Sequence, residues 1–475
     1  MPKTGLLTIA IASLLGLTAP IAAEAAAKTT AARCAPASFE KPRILVLSDI
    51  GNEPDDSQSF VRFLLYANQF DIEGLVATTS VWQRDKVQPA LIQAPIAAYG
   101  KVLANLRRHE PGYPDAATLA GLVRSGSAAY GMAGVGEGHD TEASRLIVAA
   151  ADRADARPLW ISVWGGAADL AQALWHVRAT RTPAQVDAFL SRLRVYSISD
   201  QDDAGPWIRR NFPQLFWIAS VHGWNEYSMA AWNGISGDLI RRQKWPYVDM
   251  VSDAWRAEHI EGKGPLGALY PKRAVIMEGD TPAFLYLIPN GLSDAAHPDY
   301  GSWGGRYKLS DLAAGHYGDA IEEATFPDGS YFRSSQTGVF RWRDAFQRDF
   351  AARIEWSLSP DYARANHPPV LLVQGQGGLA PVTVTAHPGE TVTLDAAGSC
   401  DPDGNALHYR WWHYPEPSGV FGLAPLPIAA SDAPRAQVTI PATAKSITYH
   451  IILEATDDGA MPITRYRRIL LKVKP

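Results

Sequence analysis

Ser48-Asp49-Ile50-Gly51-Asn52-Glu53-Pro54-Asp55-Asp56-Ser57 follows directly on the apolar run 44–47 and leads into a helical pattern at Phe60, Phe63 and Leu64. An apolar run of strand length, an acidic loop and a helix make one strand-loop-helix unit. The order recurs. Residues 72–79 read as a second strand, 87–107 as a largely helical stretch, 159–163 as another strand and 168–175 as its helix, with further short strands at 195–199 and 274–277. Such alternation predicts an α/β domain with a mostly parallel sheet flanked by helices. Ligands of these sheets bind outside the carboxyl ends of the strands, so function is sought in the residues just after each one.

The acidic loop carries three carboxylates, Asp49, Asp55 and Asp56, with Glu53 as a fourth candidate. Carboxylates at this density repel one another, and a divalent cation relieves the repulsion; calcium takes roughly six to eight oxygens at about 2.3–2.6 Å. No cysteine or histidine stands nearby, which favours a hard, oxygen-seeking ion over zinc. The plainer alternative is that Asp55 or Asp56 caps the helix that follows. Asp200-Gln201-Asp202-Asp203, after the strand ending at Ser199, is either the wall of a binding site or a solvated loop. Trp82, His222-Gly223-Trp224-Asn225-Glu226 and the loop 297–306 mix rings with polar groups, as sugar sites do. For any single Trp, core packing is the competing reading. His139-Asp140-Thr141-Glu142 fits a site edge or a helix start capped by Asp140.

From His367 the texture changes: Pro368-Pro369 precedes short alternating runs at 382–386, 391–394, 408–412, 437–440, 446–454 and 468–473. These predict a β-sandwich of immunoglobulin type. At 475 residues the chain exceeds one ordinary core, and the expected boundaries are 1–25 for a signal peptide, 38–365 for the α/β domain and 368–475 for the sandwich. Trp411 and Trp412 must point to opposite sides of their strand, one of them into the core. The Asp401-Pro402-Asp403-Gly404-Asn405 turn lacks the downstream Glu of an EF-hand and reads as an ordinary Asp/Gly turn. Lys3 followed by the apolar run 5–23 and small residues around Ala25 has the form of a signal peptide, which implies a periplasmic or secreted protein with no membrane association after cleavage. With 44 basic against 49 acidic residues and no Lys/Arg block, a nucleic acid polymer is excluded as partner. Two cysteines, Cys34 and Cys400, cannot scaffold the fold; export permits one bridge, and the sequence leaves their pairing open.

Asp49-Ile50-Gly51 with Asp55-Asp56 resembles the Asp-Pro-Gly-x-Asp-Asp opening of nucleoside hydrolases, with Pro replaced by Ile and two residues inserted. The stretch 73–79 is similar to that family's second strand, and Val163-Trp164-Gly165-Gly166-Ala167-Ala168-Asp169-Leu170 to its Thr-Gly-Pro-Leu-Thr-Asn-Leu segment. Over nearly all the mature chain the sequence resembles a secreted bacterial family described as cellulose-binding, which joins a nucleoside hydrolase-like domain to an Ig-like C-terminal domain. The resemblance implies calcium held by Asp49, Asp56, Asp280 and the backbone carbonyl of Trp164, with Asp55 as the base acting on water. The family's last ligand sits in a His-Asp pair; here Gly279-Asp280 stands in its place and the His is absent. The ribose-gripping Asn and Glu-Phe-Asn elements also have no counterpart at 81–83 and 213–217. Candidate substrate contacts are Trp82, Asp200, Asp202, Asp203, Trp224, Asn225 and Glu226. The implied function is an exported calcium-dependent glycosyl hydrolase acting on a nucleoside-like substrate or an oligosaccharide, such as one from plant polysaccharide. The alternative is a non-catalytic carbohydrate- or cellulose-binding protein on the same fold, and a third class, a structural adhesion protein, makes the acidic loop incidental. Fold alone does not choose among them.

Overall fold

A computed structural model describes residues 1, 34–36, 38–220, 227–241, 244–310, 315–420 and 422–474. Apart from Met1, the expected signal segment 1–25 lies outside the described residues.

The apolar run becomes β1 (Arg43–Ser48), buried along its whole length. Ile44 and Val46 pack into one core and Leu45 and Leu47 into another. Alternate side chains thus serve opposite faces, and a strand covered on both sides needs apolar residues at every position. β1 pairs in parallel with β2 (Asp71–Ala77) and with β4 (Leu159–Val163). Adding β3 (Val123–Ser125), β5 (Leu193–Ser197), β6 (Phe216–Ala219), β7 (Tyr307–Leu309) and β8 (His316–Asp319), the sheet runs β3-β2-β1-β4-β5-β6-β8-β7, and β7 alone is antiparallel to its neighbour. The strand order reverses between β1 and β4, and a crevice opens at their carboxyl ends, where such folds bind ligands.

Helix α1 (Asp55–Leu65) starts at Pro54 with no side-chain cap, so neither Asp55 nor Asp56 acts as the capping residue. Thr141, rather than Asp140, caps the helix Glu142–Asp152, accepting from the Ser144 amide at 2.9 Å. The expected strand at 274–277 does not form. The sheet edge beyond β6 is taken by β8, and the backbone of Met277 is satisfied instead by Ser236 Oγ, which accepts from its N–H at 3.0 Å and donates to its carbonyl at 2.9 Å.

The C-terminal region is a β-sandwich. One sheet holds β9 (Val382–Ala386), β15 (Thr464–Val473), β14 (Ile447–Asp457) and β11 (Leu407–Tyr414); the other holds β10 (Thr391–Asp395), β13 (Arg435–Thr439) and β12 (Ile428–Ala429). Trp411 fills its core, whereas Trp412 turns outward onto Trp342 of the α/β domain, ring centroids 6.0 Å apart. The two domains share a bonded seam. Tyr466 N donates to Asn290 O at 3.0 Å, and the buried Arg468 guanidinium donates to Leu292 O at 2.8 Å and to Tyr300 O at 2.9 Å. Cys34 is disulfide-bonded to Cys400.

Candidate functional site

Four aspartates from two separate segments meet at the carboxyl ends of β1 and β4. Asp49 follows β1, Asp55 and Asp56 open α1, and Asp280 arrives from the loop after 274–277. The ligand atoms of Asp55, Asp56 and Asp280 all lie within 4.8 Å of one another. Asp49 lines the same cavity, with Ser80 Oγ donating to its carboxylate. Ser48 Oγ donates to Asp56 Oδ1 at 2.5 Å. The loop between β1 and α1 is set by Gly51, whose φ of +110° strains any residue with a side chain and whose missing Cβ leaves room for the Gln88 side chain.

Asp280 is delivered by an unusual backbone. Glu278 holds a left-handed φ of +55°, which costs a non-glycine residue energy and persists only under surrounding restraint. That restraint is a buried ion pair with Arg62 at 2.7 Å, donation from Tyr270 OH at 2.6 Å and Thr281 Oγ1 at 3.0 Å, and donation by the Glu278 N–H to Gln58 Oε1 at 3.0 Å. Next to it, a Cβ on Gly279 would lie 2.8 Å from Asp55 Oδ2 and 3.2 Å from the Trp232 ring. A histidine preceding Asp280 therefore has no room unless its neighbours move.

Burial, followed by the charges of Glu53 and Asp49, pushes Asp55 up to about 7; burial pushes Asp49 up to about 6 despite its Ser80 hydrogen bond. Asp56 and Asp280 are raised well above the ordinary carboxylate range, by burial first and by the neighbouring aspartates next. Among the described lining residues there is no Lys, Arg or His to balance them. Asp280 Oδ2 is buried without a hydrogen-bond partner. An oxygen-only donor set whose ligand atoms lie within 4.8 Å of one another, close enough to share one ion with bonds of about 2.4 Å, with an orphaned carboxylate oxygen, fits a hard divalent cation.

The other expected site residues divide. Trp164 lines the cavity, its ring packed 4.9 Å from Phe60, and its carbonyl accepts from Gln201 Nε2 at 2.5 Å. Trp82 lies at the rim, 53% exposed. Asp200, Asp202 and Asp203 do not line the cavity, because the protein itself engages each one. Asp200 pairs with Arg209 at 2.6 Å, Asp202 accepts from the amides of Ala167, Ala168 and Ala204, and Asp203 accepts from Met132 N at 2.8 Å. Trp224, Asn225 and Glu226 lie outside the described residues. Within the quoted acidic tetrad, Gln201 is the member that faces the cavity, a position its apolar-strand context foreshadows and its residue type does not. Tyr227, Trp232 and Asn233 also line it. They sit on short 3-10 turns, Tyr227–Met229 and Ala231–Ile235, whose sequence has no period to announce them.

Comparison with known proteins places this geometry in context. Residues 43–307 match the family described as cellulose-binding Sde182, nucleoside hydrolase-like domain, and residues 391–473 match cellulose-binding protein Sde0182, C-terminal domain. A solved nucleoside hydrolase-related hypothetical protein from Saccharophagus degradans, described as associated with carbohydrate metabolism, is similar at 36% identity over 92% of this chain and 100% of its own, with a TM-score of 0.78. The PKD domain from KIAA 1837 protein is 19% identical over 20% of this chain and 81% of its own, TM-score 0.15. Type III effector protein XopQ, solved with adenosine diphosphate ribose, is 12% identical over 71% of this chain and 99% of its own, TM-score 0.31. No curated protein matches the sequence closely enough to count as a relative.

Proposed function

This chain belongs to the cellulose-binding family with a nucleoside hydrolase-like domain, and from that premise we propose that it is an exported, calcium-dependent glycosyl hydrolase acting on a nucleoside-like or carbohydrate substrate. The observation that carries the proposal is the convergence of Asp55, Asp56 and Asp280 within 4.8 Å in a buried cavity whose described lining offers no cationic side chain. Asp49, Asp56 and Asp280 would hold the ion. Bound there, calcium would neutralise the cluster and favour loss of a proton from water at the site. Asp55, the most solvent-open of the four at 9% exposure, would accept the proton of the attacking water. As the water oxygen bonds the anomeric carbon and the glycosidic bond breaks, the leaving group departs with the bonding electron pair and takes a proton from solvent, while positive charge developing on the sugar is met by Glu53, in a cavity where Trp164, Ile198 and Ile276 exclude water and strengthen the interaction. The Cys34–Cys400 bridge supports export, since disulfides persist in oxidising compartments.

A carbohydrate-binding protein without turnover is the second reading, and Gly279 favours it, because it stands where a histidine could activate a leaving group and leaves one no room beside Asp55 unless its neighbours move. Turnover by the purified full chain on nucleosides and plant oligosaccharides, with and without chelator, tests both. Asp55→Asn keeps size and shape but removes the proton acceptor, so turnover should fall on the order of a hundredfold or more. Full activity in that variant removes the mechanism. Absence of turnover on every substrate, with oligosaccharide binding intact, replaces the hydrolase by the binding protein.

A further inference from the structure

Two serine hydroxyls stand behind the carboxylate cluster, outside the donor set of Asp49, Asp56 and Asp280. Ser48, the last residue of β1, donates its Oγ proton to Asp56 Oδ1 at 2.5 Å and accepts the Ile50 N–H at 3.1 Å. Ser80, in the turn after β2, donates to Asp49 Oδ2 and accepts the N–H groups of Trp82 at 3.0 Å and Gln83 at 3.2 Å. A hydroxyl carries one proton and two lone pairs. At Ser80 both lone pairs face backbone donors, so its one proton is left for Asp49. Both serines are fully buried, and water does not compete for those protons.

The backbone beneath is held as firmly. The Ser80 N–H donates to Gln83 O at 3.0 Å and the Gln83 N–H to Ser80 O at 3.2 Å, which closes the turn. Gln83 Nε2 donates to the carbonyls of Asp49 at 3.1 Å and Ile50 at 3.3 Å, and Gln88 Nε2 fixes Gln83 by donating to its Oε1 at 2.7 Å. One turn of chain thus grips Asp49 at its carboxylate and at its carbonyl. The stretch 81–83, which lacks ribose-gripping residues, here buttresses the acidic loop.

These restraints act on distance. Asp55, Asp56 and Asp280 bring ligand atoms within 4.8 Å of one another, and Asp49 lines the cavity outside that group of three. Calcium bonds oxygen at about 2.3–2.6 Å in flexible geometry, whereas magnesium demands about 2.0–2.1 Å and a near-ideal octahedron. Carboxylates free to move would draw in by roughly 0.3–0.5 Å per bond to meet the smaller ion. Tied to hydroxyls that are themselves tied to backbone amides, Asp49 and Asp56 cannot follow without breaking buried hydrogen bonds, each of which costs free energy to leave unmade.

We propose that Ser48 and Ser80 are positioning residues that hold Asp56 and Asp49 at calcium's distance and so make the site prefer calcium over magnesium. The inference rests on the metal reading proposed above and names what selects its ion. Its test reads ion binding in the full chain with no substrate present. Native protein stripped with chelator is titrated with calcium chloride and, separately, with magnesium chloride, following heat and tryptophan fluorescence; calcium should bind more tightly. Ser48→Ala and Ser80→Ala, each first shown to melt cooperatively in chelator, should lower calcium affinity about tenfold or more and magnesium affinity less, so the calcium-to-magnesium ratio falls. A general loosening of the fold would lower both affinities in proportion and leave the ratio alone. Ser357→Ala is the control: it removes a buried hydroxyl that donates to Ile354 O at 2.6 Å in the helix Arg343–Leu358, and it should lower Tm without altering the ratio. Native protein that binds neither ion removes the metal reading and this inference with it. Calcium binding with no preference over magnesium in native protein, or an unchanged ratio in both alanine variants, overturns this inference alone. The native comparison requires no variant and stands where an alanine variant does not fold.

Discussion

Replacing Glu278 with Gln isolates one buried charge beside the carboxylate cluster. Glu278 and Arg62 are both 0% exposed and 2.7 Å apart, and the same carboxylate accepts from Tyr270 and Thr281. Glutamine keeps the volume and one acceptor oxygen but leaves the guanidinium buried without its counter-charge. Removing one partner of a buried pair typically costs about 3–5 kcal/mol. Arg62 retains its donation to the Gln347 side chain and its position over the Phe350 ring at 4.0 Å, which places the expected loss near the lower limit, about 3 kcal/mol. With about 2.1 cal/mol/K of unfolding entropy per residue, a domain of roughly 330 residues shifts by about 1.4 °C per kcal/mol, so Tm of the α/β domain should fall by about 4 °C. The second effect is local. Glu278 anchors the left-handed backbone that presents Asp280, so calcium affinity should fall by about 10–100-fold, the usual consequence of loosening a group that orients a metal ligand. Calorimetry with and without calcium, together with a calcium titration of Glu278→Gln, reads both quantities. A melt within about 0.5 kcal/mol of the native protein, combined with unchanged calcium affinity, would refute the claim that this ion pair positions Asp280.

In chelator, stability should fall as pH rises: Asp49 and Asp55 are raised in the folded state to about 6 and about 7 from 3.8, so their stabilising protonated forms are full below about 3.8 and lost through pH 6 to 7. Melts across pH 4 to 8 should show that decline without calcium and not with it, and identical profiles would count against a metal at the cluster. The segment at Pro368 should resist limited proteolysis in the native chain, because His367 is 2% exposed, its backbone N–H donates to Asp403 at 2.6 Å, and its ring stacks on Tyr362 at 3.6 Å. Rapid release of a C-terminal fragment by cleavage there would show that the seam between the domains opens freely.

The parts of this molecule that could be read from sequence are those whose physics is local. A four-residue apolar run buried on both faces, then a loop dense in aspartate, specifies a parallel strand and the acidic crevice at its end, because strand burial and carboxylate repulsion act over a few residues. The alternating runs after Pro369 specify the sandwich for the same reason. Asp200, Asp202 and Asp203 are ambiguous in sequence, because a carboxylate after a strand serves equally well as a site wall, a cap or an ion-pair partner; Asp202 bonds amides at 167, 168 and 204, and nothing in the tetrad itself signals that partnership. At 274–277 apolar residues imply a strand, yet no free sheet edge remains for them, and Ser236, some forty residues away, meets the backbone instead. In the sequence only the family resemblance marks Asp280; what places it is the contact of Glu278 with Arg62, residues separated by most of the sheet. Tyr227 and Trp232 belong to the same class, since they become a path to the cavity only when 3-10 turns after β6 fold back over Ser199. Three of the four aspartates on the floor of the site are thus written in one segment of ten residues, whereas Asp280 and the rim are assembled from contacts between segments. A change at the floor should therefore alter metal affinity whatever the ligand, and a change at Trp82 should alter the ligand whatever the metal.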